Sequence, residues 1–191
     1  MVRIPWAPEY PVTTERLLLR PHQHGDLDDL TIYHSDPEVV RYIPWPVRSR
    51  AETQAALKKR IEQGSVVEEG QWLVLAISLR SSGRVIGEVL LKYDSESDGR
   101  GELAVAIAQD VAGNGYATEA ATAMLTLGFE AFDLHRIVAN LDARNTASAR
   151  LLERLGMRRE ALHLSERFFK NEWTDTLVYA ITAEEWRTRG T

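Results

Sequence analysis

The chain is predicted to fold as a single mixed α/β (α+β) domain, a mostly antiparallel central sheet of about seven strands flanked by helices. Three observations predict it. Two β-rich runs, residues 72–79 and 85–93, are separated only by a short polar stretch holding Ser81, Ser82 and Gly83, a hairpin signal that makes the sheet antiparallel at its centre. From residue 102 to residue 155, strand-like and helix-like stretches alternate, so the sheet is mixed and covered by helices. At 191 residues and 44% hydrophobic content, the chain can bury one good core and is short for two.

Each element has its own warrant. Thr13, Thr14 and Glu15 precede Leu17, Leu18 and Leu19 in an opening strand that stops at Pro21. Residues 26–34 and 36–42 begin with acidic, cap-like residues and repeat apolar positions at three and four, the pattern of two short helices; Pro44, Trp45 and Pro46 end the second. Residues 50–63 form a longer helix, with Ala51, Ala55, Leu57 and Ile61 set among charges and Gly64 as its stop. After the hairpin, a polar segment at 94–101 leads to a third β-run at 102–108. Ala117, Ala120, Ala121, Met124, Leu127 and Ala131 then define the buried stripe of a helix over 117–131. Residues 135–141 read as a strand, 146–155 as a helix ending near Gly156, and 158–169 and 174–182 as two strands joined by a turn at 170–172. Neither a repeat nor a low-complexity linker interrupts the chain, so one domain spans 1–191, with a core over about 12–182.

Composition narrows the function. With no cysteine, the chain has no disulfide framework, thiolate metal site or cysteine nucleophile, and its five histidines lack paired ligand spacing, so no metal is expected. The start, MVRIPWAPEY, lacks a basic-then-apolar leader, and no run reaches about 18 apolar residues, which predicts a soluble cytoplasmic protein without a membrane partner. A net charge of −5 argues against a nucleic-acid partner and suits a cationic substrate.

The most informative stretch follows the third β-run and opens the apolar helix: Gln109, Asp110, Val111, Ala112, Gly113, Asn114, Gly115, Tyr116, Ala117, Thr118, Glu119, Ala120. Two glycines one residue apart let the backbone turn sharply, and the amides of the helix start then point at an anion such as a diphosphate. A plain strand-to-helix turn is the other reading of the same glycines. Spacing excludes two better-known phosphate loops. Thr118 stands where a dinucleotide fingerprint needs a third glycine or alanine, and the chain has no Gly-Lys-Ser/Thr ending.

With Gly113, Asn114, Gly115, Tyr116, Ala117, Thr118, Glu119 and Ala120 the chain resembles the GCN5-related N-acetyltransferases and is most similar to their RimJ/RimL-type ribosomal-protein N-terminal acetyltransferase group, whose Gly-Lys-Gly-Tyr-Ala-Thr-Glu-Ala pattern this stretch follows with one change. Supporting matches are Glu102, Asn145 with Ser148, Leu155 with Gly156, Glu160, Trp173, Asp175 and Tyr179. The opening Thr13, Thr14, Glu15, Arg16 and Leu17, with Leu19 and Arg20, also resembles that group's first strand. The resemblance implies a cradle for the pyrophosphate of acetyl-coenzyme A around Gly113, Asn114, Gly115, Tyr116 and Ala117. It further implies pairing of the pantetheine arm with the backbone of Ala106, Ile107 and Ala108, and a hydrogen bond from Asn145 nearby. Asn145 has a second reading as a helix cap that needs no ligand.

The implied activity is transfer of an acetyl group to a primary amine in a ternary complex, with a protein N-terminal α-amine as the family-weighted acceptor. An α-amine of pKa near 7.7 is roughly one-sixth neutral at pH 7, whereas a lysine near 10.4 is neutral in about four molecules per ten thousand. One carboxylate base is therefore enough, and Glu102 is the candidate, its other reading being a solvated strand-start residue. Ser148 is the candidate proton donor to the thiolate, or simply part of the helix's first turn. Tyr42 and Trp45 are candidates for the acceptor side, or for core and loop packing. The departures are Asp110 for a usual Gln or Arg, Asn114 for a common lysine, Ala106 and Ala112 for aromatics, and Leu152 for a tyrosine acid. They keep two alternatives open: an acyltransferase using a larger acyl donor, and a coenzyme A binding module without catalysis. The oligomeric state is open, with a homodimer through an edge strand or a helix among its options.

Overall fold

The computed structural model describes residues 2–189. Eight strands form one sheet: β1 (Val12–Thr13), β2 (Leu17–Arg20), β3 (Trp72–Leu79), β4 (Val85–Ser95), β5 (Arg100–Ile107), β6 (Arg136–Asp142), β7 (Arg158–Phe169) and β8 (Glu172–Thr182), in the order β1-β2-β3-β4-β5-β6-β8-β7. Every neighbouring pair is antiparallel except β5 with β6. The count exceeds the expected seven because residues 14–16 break the opening strand into two short antiparallel pieces.

Among the described residues six α-helices flank the sheet: α1 (Leu27–His34), α2 (Pro37–Val40), α3 (Arg50–Glu62), α4 (Tyr116–Thr126), α5 (Thr146–Arg154) and α6 (Ala183–Thr188). α3 starts at a capping box in which Ser49 and Glu52 satisfy each other's backbone amides. A second such box, Thr182 with Glu185, starts the short α6 that the periodicity did not indicate. α2 is shorter than expected, ending at Val40. Beyond α4 the helix widens into a π turn over Leu127–Ala131, which shifts the buried face. Ala120, Ala121 and Met124 are buried as expected, but Ala131 is exposed, and Phe129 and Phe132 turn inward instead.

β3 and β4 are buried on both faces, so they form the centre of the sheet. On one face α4 covers Leu73, Leu75, Val89, Leu91 and Leu103 in the main core. On the other face α1 and α3 enclose a smaller cluster of Leu30, Tyr33, Leu57, Ala76, Val85 and Ala108. At the cradle end, β4 and β5 approach so closely that a Cβ on Gly87 would lie 2.2 Å from the Ala106 carbonyl oxygen, which leaves only glycine there. No described helix is long and apolar enough to cross a membrane.

Candidate active site

From Ile107 the chain passes through Ala108 and a 3-10 turn, Gln109–Val111, into Gly113, Asn114 and Gly115, where α4 begins. Gly113 and Gly115 have φ of +81° and +82°, a conformation that costs any residue with a side chain about 1–2 kcal/mol. Gly115 is the N-cap of α4 and brings no side-chain acceptor to its first-turn amides. A concavity of about 240 Å³ lies in front of them, lined by Ile107, Ala112, Gly113, Gly115, Ala117 and Arg154. Nothing lies within 4 Å of where a Gly113 Cβ would be. Free helix-start amides, left-handed glycines and an arginine in the lining fit a diphosphate.

Two details shape the local charge. Asp110 pairs with Arg84 at 2.7 Å, and that hydrogen bond holds its carboxyl below the usual range while neutralising it beside the cradle. Asn114 donates from its side chain to the Val111 carbonyl at 3.0 Å, tying the loop to itself. Arg154, in the last turn of α5, was missed by sequence reasoning, because a basic residue there reads as a helix C-terminal charge.

The sheet opens beside the cradle. β5 and β6 pair only over Arg100, Gly101 and Glu102 with Arg136, Ile137 and Val138, whereas β5 stays paired to β4 as far as Ile107. Residues 103–107 thus have one free strand edge. The Ala108 amide donates to the Ile86 carbonyl at 2.7 Å. By the alternation of an antiparallel ladder, Ala106 also faces β4, and Val105 and Ile107 turn their backbone groups to the open edge. An extended arm can add there as a strand.

Glu102 stands at the apex of this opening, half-buried, accepting from the Asn140 side chain at 3.1 Å. On the far side, Asn145 caps α5 by accepting from the Ser148 amide at 3.0 Å, and Ser148 is half-buried in the first turn.

A second concavity of about 500 Å³ lies beyond the end of β6, lined by Val40, Arg41, Pro46, Arg144, Phe169 and Lys170, among others. Lys170, at the β7–β8 turn, donates to the Val40 carbonyl, so α2 and that turn close over it together. Arg144 holds Asp142 at 2.7 Å and Glu172 at 2.8 Å. Tyr42 and Trp45 flank this concavity without lining it. The Arg41 guanidinium lies 5.4 Å from the Tyr42 ring, and Trp45 is held against Arg48 at 4.5 Å and Arg60 at 5.5 Å.

Near Trp45 lies a buried polar cluster that the sequence did not disclose, its one signal being a glutamate inside the apolar run of β4. Glu88 is fully buried, bonded to Arg60 at 2.9 Å and 3.5 Å from His22 Nε2; His22 Nδ1 lies 3.7 Å from Asp26, which Arg20 holds at 2.7 Å. Burial pushes the Glu88 carboxyl up, but His22 and Arg60 together overcome it and bring it down to about 2. His34, at the same interface, is brought down to about 4, chiefly by burial.

Residues 16–158 match the family described as the acetyltransferase (GNAT) domain. The chain belongs to this family. Among similar proteins, the uncharacterized N-acetyltransferase YnaD of Bacillus subtilis is 35% identical over 182 residues, covering 92% of this chain and 98% of the relative. The crystal structure of a GNAT-family acetyltransferase from Bacillus anthracis superposes with a TM-score of 0.80 at 30% identity, over 90% of this chain and 98% of that one. RimL, a ribosomal L7/L12 α-N-protein acetyltransferase solved in complex with coenzyme A, shares the fold at a TM-score of 0.78 and 17% identity, over 91% and 98% of the two chains. The chain is therefore an N-acetyltransferase of the GNAT family, and it shares its fold with RimL.

Proposed function

We propose that the chain transfers an acetyl group from acetyl-coenzyme A to a primary amine in a ternary complex, with the α-amine of a peptide or protein N-terminus as acceptor. The observation that carries this reading is the opening of the sheet after Glu102, with the anion cradle at one end of the free edge and a carboxylate at its apex. The amides of Gly115, Tyr116 and Ala117, with Arg154, would hold the diphosphate, and the backbone of Val105 and Ile107 would pair with the pantetheine arm. When bound, the donor supplies an activated thioester.

The chain's own residues then do three things. They hold both reactants in one place, which by itself removes much of the entropic barrier. Glu102 takes the proton from the amine, directly or through one water, and Asn140 holds the carboxylate in place for it. The Ser148 hydroxyl, at the start of α5, is the proton donor to the departing sulfur. The acceptor enters through the concavity between α2 and the β7–β8 turn.

The test is release of free thiol with acetyl-coenzyme A and a panel of free-N-terminus peptides, N-blocked lysine peptides, polyamines and aminoglycosides. Turnover is expected with the free-N-terminus peptides. Substitution Glu102→Gln should lower kcat about a hundred-fold or more while leaving donor binding unchanged. No thiol release with any amine would leave only a coenzyme A binding module, and faster turnover with succinyl-coenzyme A would reassign the donor.

A further inference from the structure

The turn between β1 and β2 is clamped onto the cradle from outside the concavity. Glu119, in the first turn of α4, accepts through one oxygen from the Thr14 hydroxyl at 2.6 Å and the Arg16 amide at 2.7 Å, and through the other from Arg16 Nε at 2.7 Å. Arg16 Nη1 in turn donates to the Asn114 carbonyl at 2.9 Å, and the guanidinium lies 4.6 Å from the centre of the Tyr116 ring. Arg80 fixes the turn from behind, donating to the Thr14 and Glu15 carbonyls at 2.9 Å each.

The geometry has a consequence for the peptide between Asn114 and Gly115. In a planar trans peptide the carbonyl and the following N–H point in opposite directions. Arg16 is absent from the lining of the concavity and Gly115 is part of it, so holding the Asn114 carbonyl outward turns the Gly115 N–H inward. We infer that Arg16, gripped by Glu119, is a positioning residue that fixes this peptide so that the Gly115 amide faces the diphosphate of the donor. It also brings to the loop a cation that Asn114 does not supply. Two stretches of sequence that look unrelated, 14–16 and 113–119, thus act as one unit. The inference rests on the donor assignment above for the identity of the ligand.

The test uses the full chain with the variants Arg16→Gln, Arg16→Lys and Glu119→Gln. Arg16 is 43% exposed along its side chain, so its replacement leaves the core intact. Binding of acetyl-coenzyme A is measured by calorimetry. Binding of acetylpantetheine, which lacks the diphosphate, and of inorganic pyrophosphate is followed through the Gly115 amide in nitrogen-proton correlation spectra.

Arg16→Gln should weaken acetyl-coenzyme A about ten-fold, leave acetylpantetheine unchanged, and suppress the Gly115 shift that pyrophosphate causes in the wild type. Glu119→Gln, which keeps one acceptor oxygen, should cost about three-fold. Equal weakening of both donors would overturn the inference in favour of general damage to the fold, and unchanged acetyl-coenzyme A binding in Arg16→Gln would overturn it outright. Full recovery by Arg16→Lys would also overturn it, because lysine keeps the charge but lacks the two separate nitrogens, Nε and Nη1, with which Arg16 reaches Glu119 and Asn114. If the wild type binds pyrophosphate through Gly115 but not acetyl-coenzyme A, the donor assignment fails while the role of Arg16 is still decided by the pyrophosphate titration.

Discussion

At the end of β5 the proposed anion cradle is mostly main chain from one short stretch, residues 107–118, with Arg154 of α5 as its one contribution from elsewhere among the residues that line it. The buried polar cluster on the other face of the sheet draws Glu88 from β4, Arg60 from α3, His22 and Asp26 from the approach to α1, and His34 from its end. As proposed, the cradle would work through backbone amides, whose direction would follow from two left-handed glycines and from the Arg16 bond to the Asn114 carbonyl. The cluster works through side-chain charges brought together by tertiary packing. The first is therefore sensitive to added Cβ atoms and the second to a lost partner.

The largest effect should come from attacking the backbone geometry. Gly113→Glu with Gly115→Glu forces two side chains into positive φ and sets two carboxylates against a diphosphate. Binding of acetyl-coenzyme A should fall below detection by calorimetry, while the thermal transition, recorded alongside, shows that the variant still folds. Retained micromolar binding would mean that the cradle is a plain turn.

Next comes the cluster. Glu88→Gln removes the charge that faces Arg60 and His22 in a fully buried site, which should cost on the order of 3–5 kcal/mol of stability in urea unfolding. Loss of less than about 1 kcal/mol would show that Arg60 finds another partner or reaches water.

Acid should probe the same cluster from the other direction. The folded-state value of His34 lies near 4, against an ordinary 6.5, so the unfolded chain takes up a proton first as pH falls through that window. Stability should drop between pH 6.5 and 4 by up to about 3 kcal/mol. Glu88 adds a second loss between 4.5 and 2, because the unfolded chain protonates there while the native carboxylate stays charged. His34→Gln should flatten the upper slope and leave the lower one, as measured by denaturant unfolding across the pH series.

The smallest effect is expected at the proposed acceptor side. Lys170→Met removes the bond from the β7–β8 turn to the Val40 carbonyl and should cost under about 1 kcal/mol of stability. In steady-state kinetics it should raise the KM for the amine a few-fold with donor binding unchanged, which would separate the two concavities functionally.

The legible parts of this protein are the local ones. The hairpin at 81–83, the cap at Asn145 and the two glycines of the cradle are written into neighbouring residues, since turn geometry and helix starts depend on φ and on side chains a few positions apart. The break of the opening strand at residues 14–16 was hidden, because the residue that holds this turn, Glu119, lies more than a hundred positions away. Arg154 gave no signal beyond a basic residue at a helix end, and Trp45, a candidate for the acceptor side or for packing, lies with its indole against Arg48 and Arg60.

By itself the sequence determined the fold class, the order of most elements and the two-glycine turn that opens α4, because hydrophobic period, caps and glycines act over short distances along the chain. Only the tertiary structure decided that β5 and β6 part after Glu102, that Arg16 and Glu119 grip the cradle, and that Glu88 lies buried against Arg60 and His22. Those features depend on which distant residues meet in space and on how much water their packing removes, and neither is a property of any stretch of sequence.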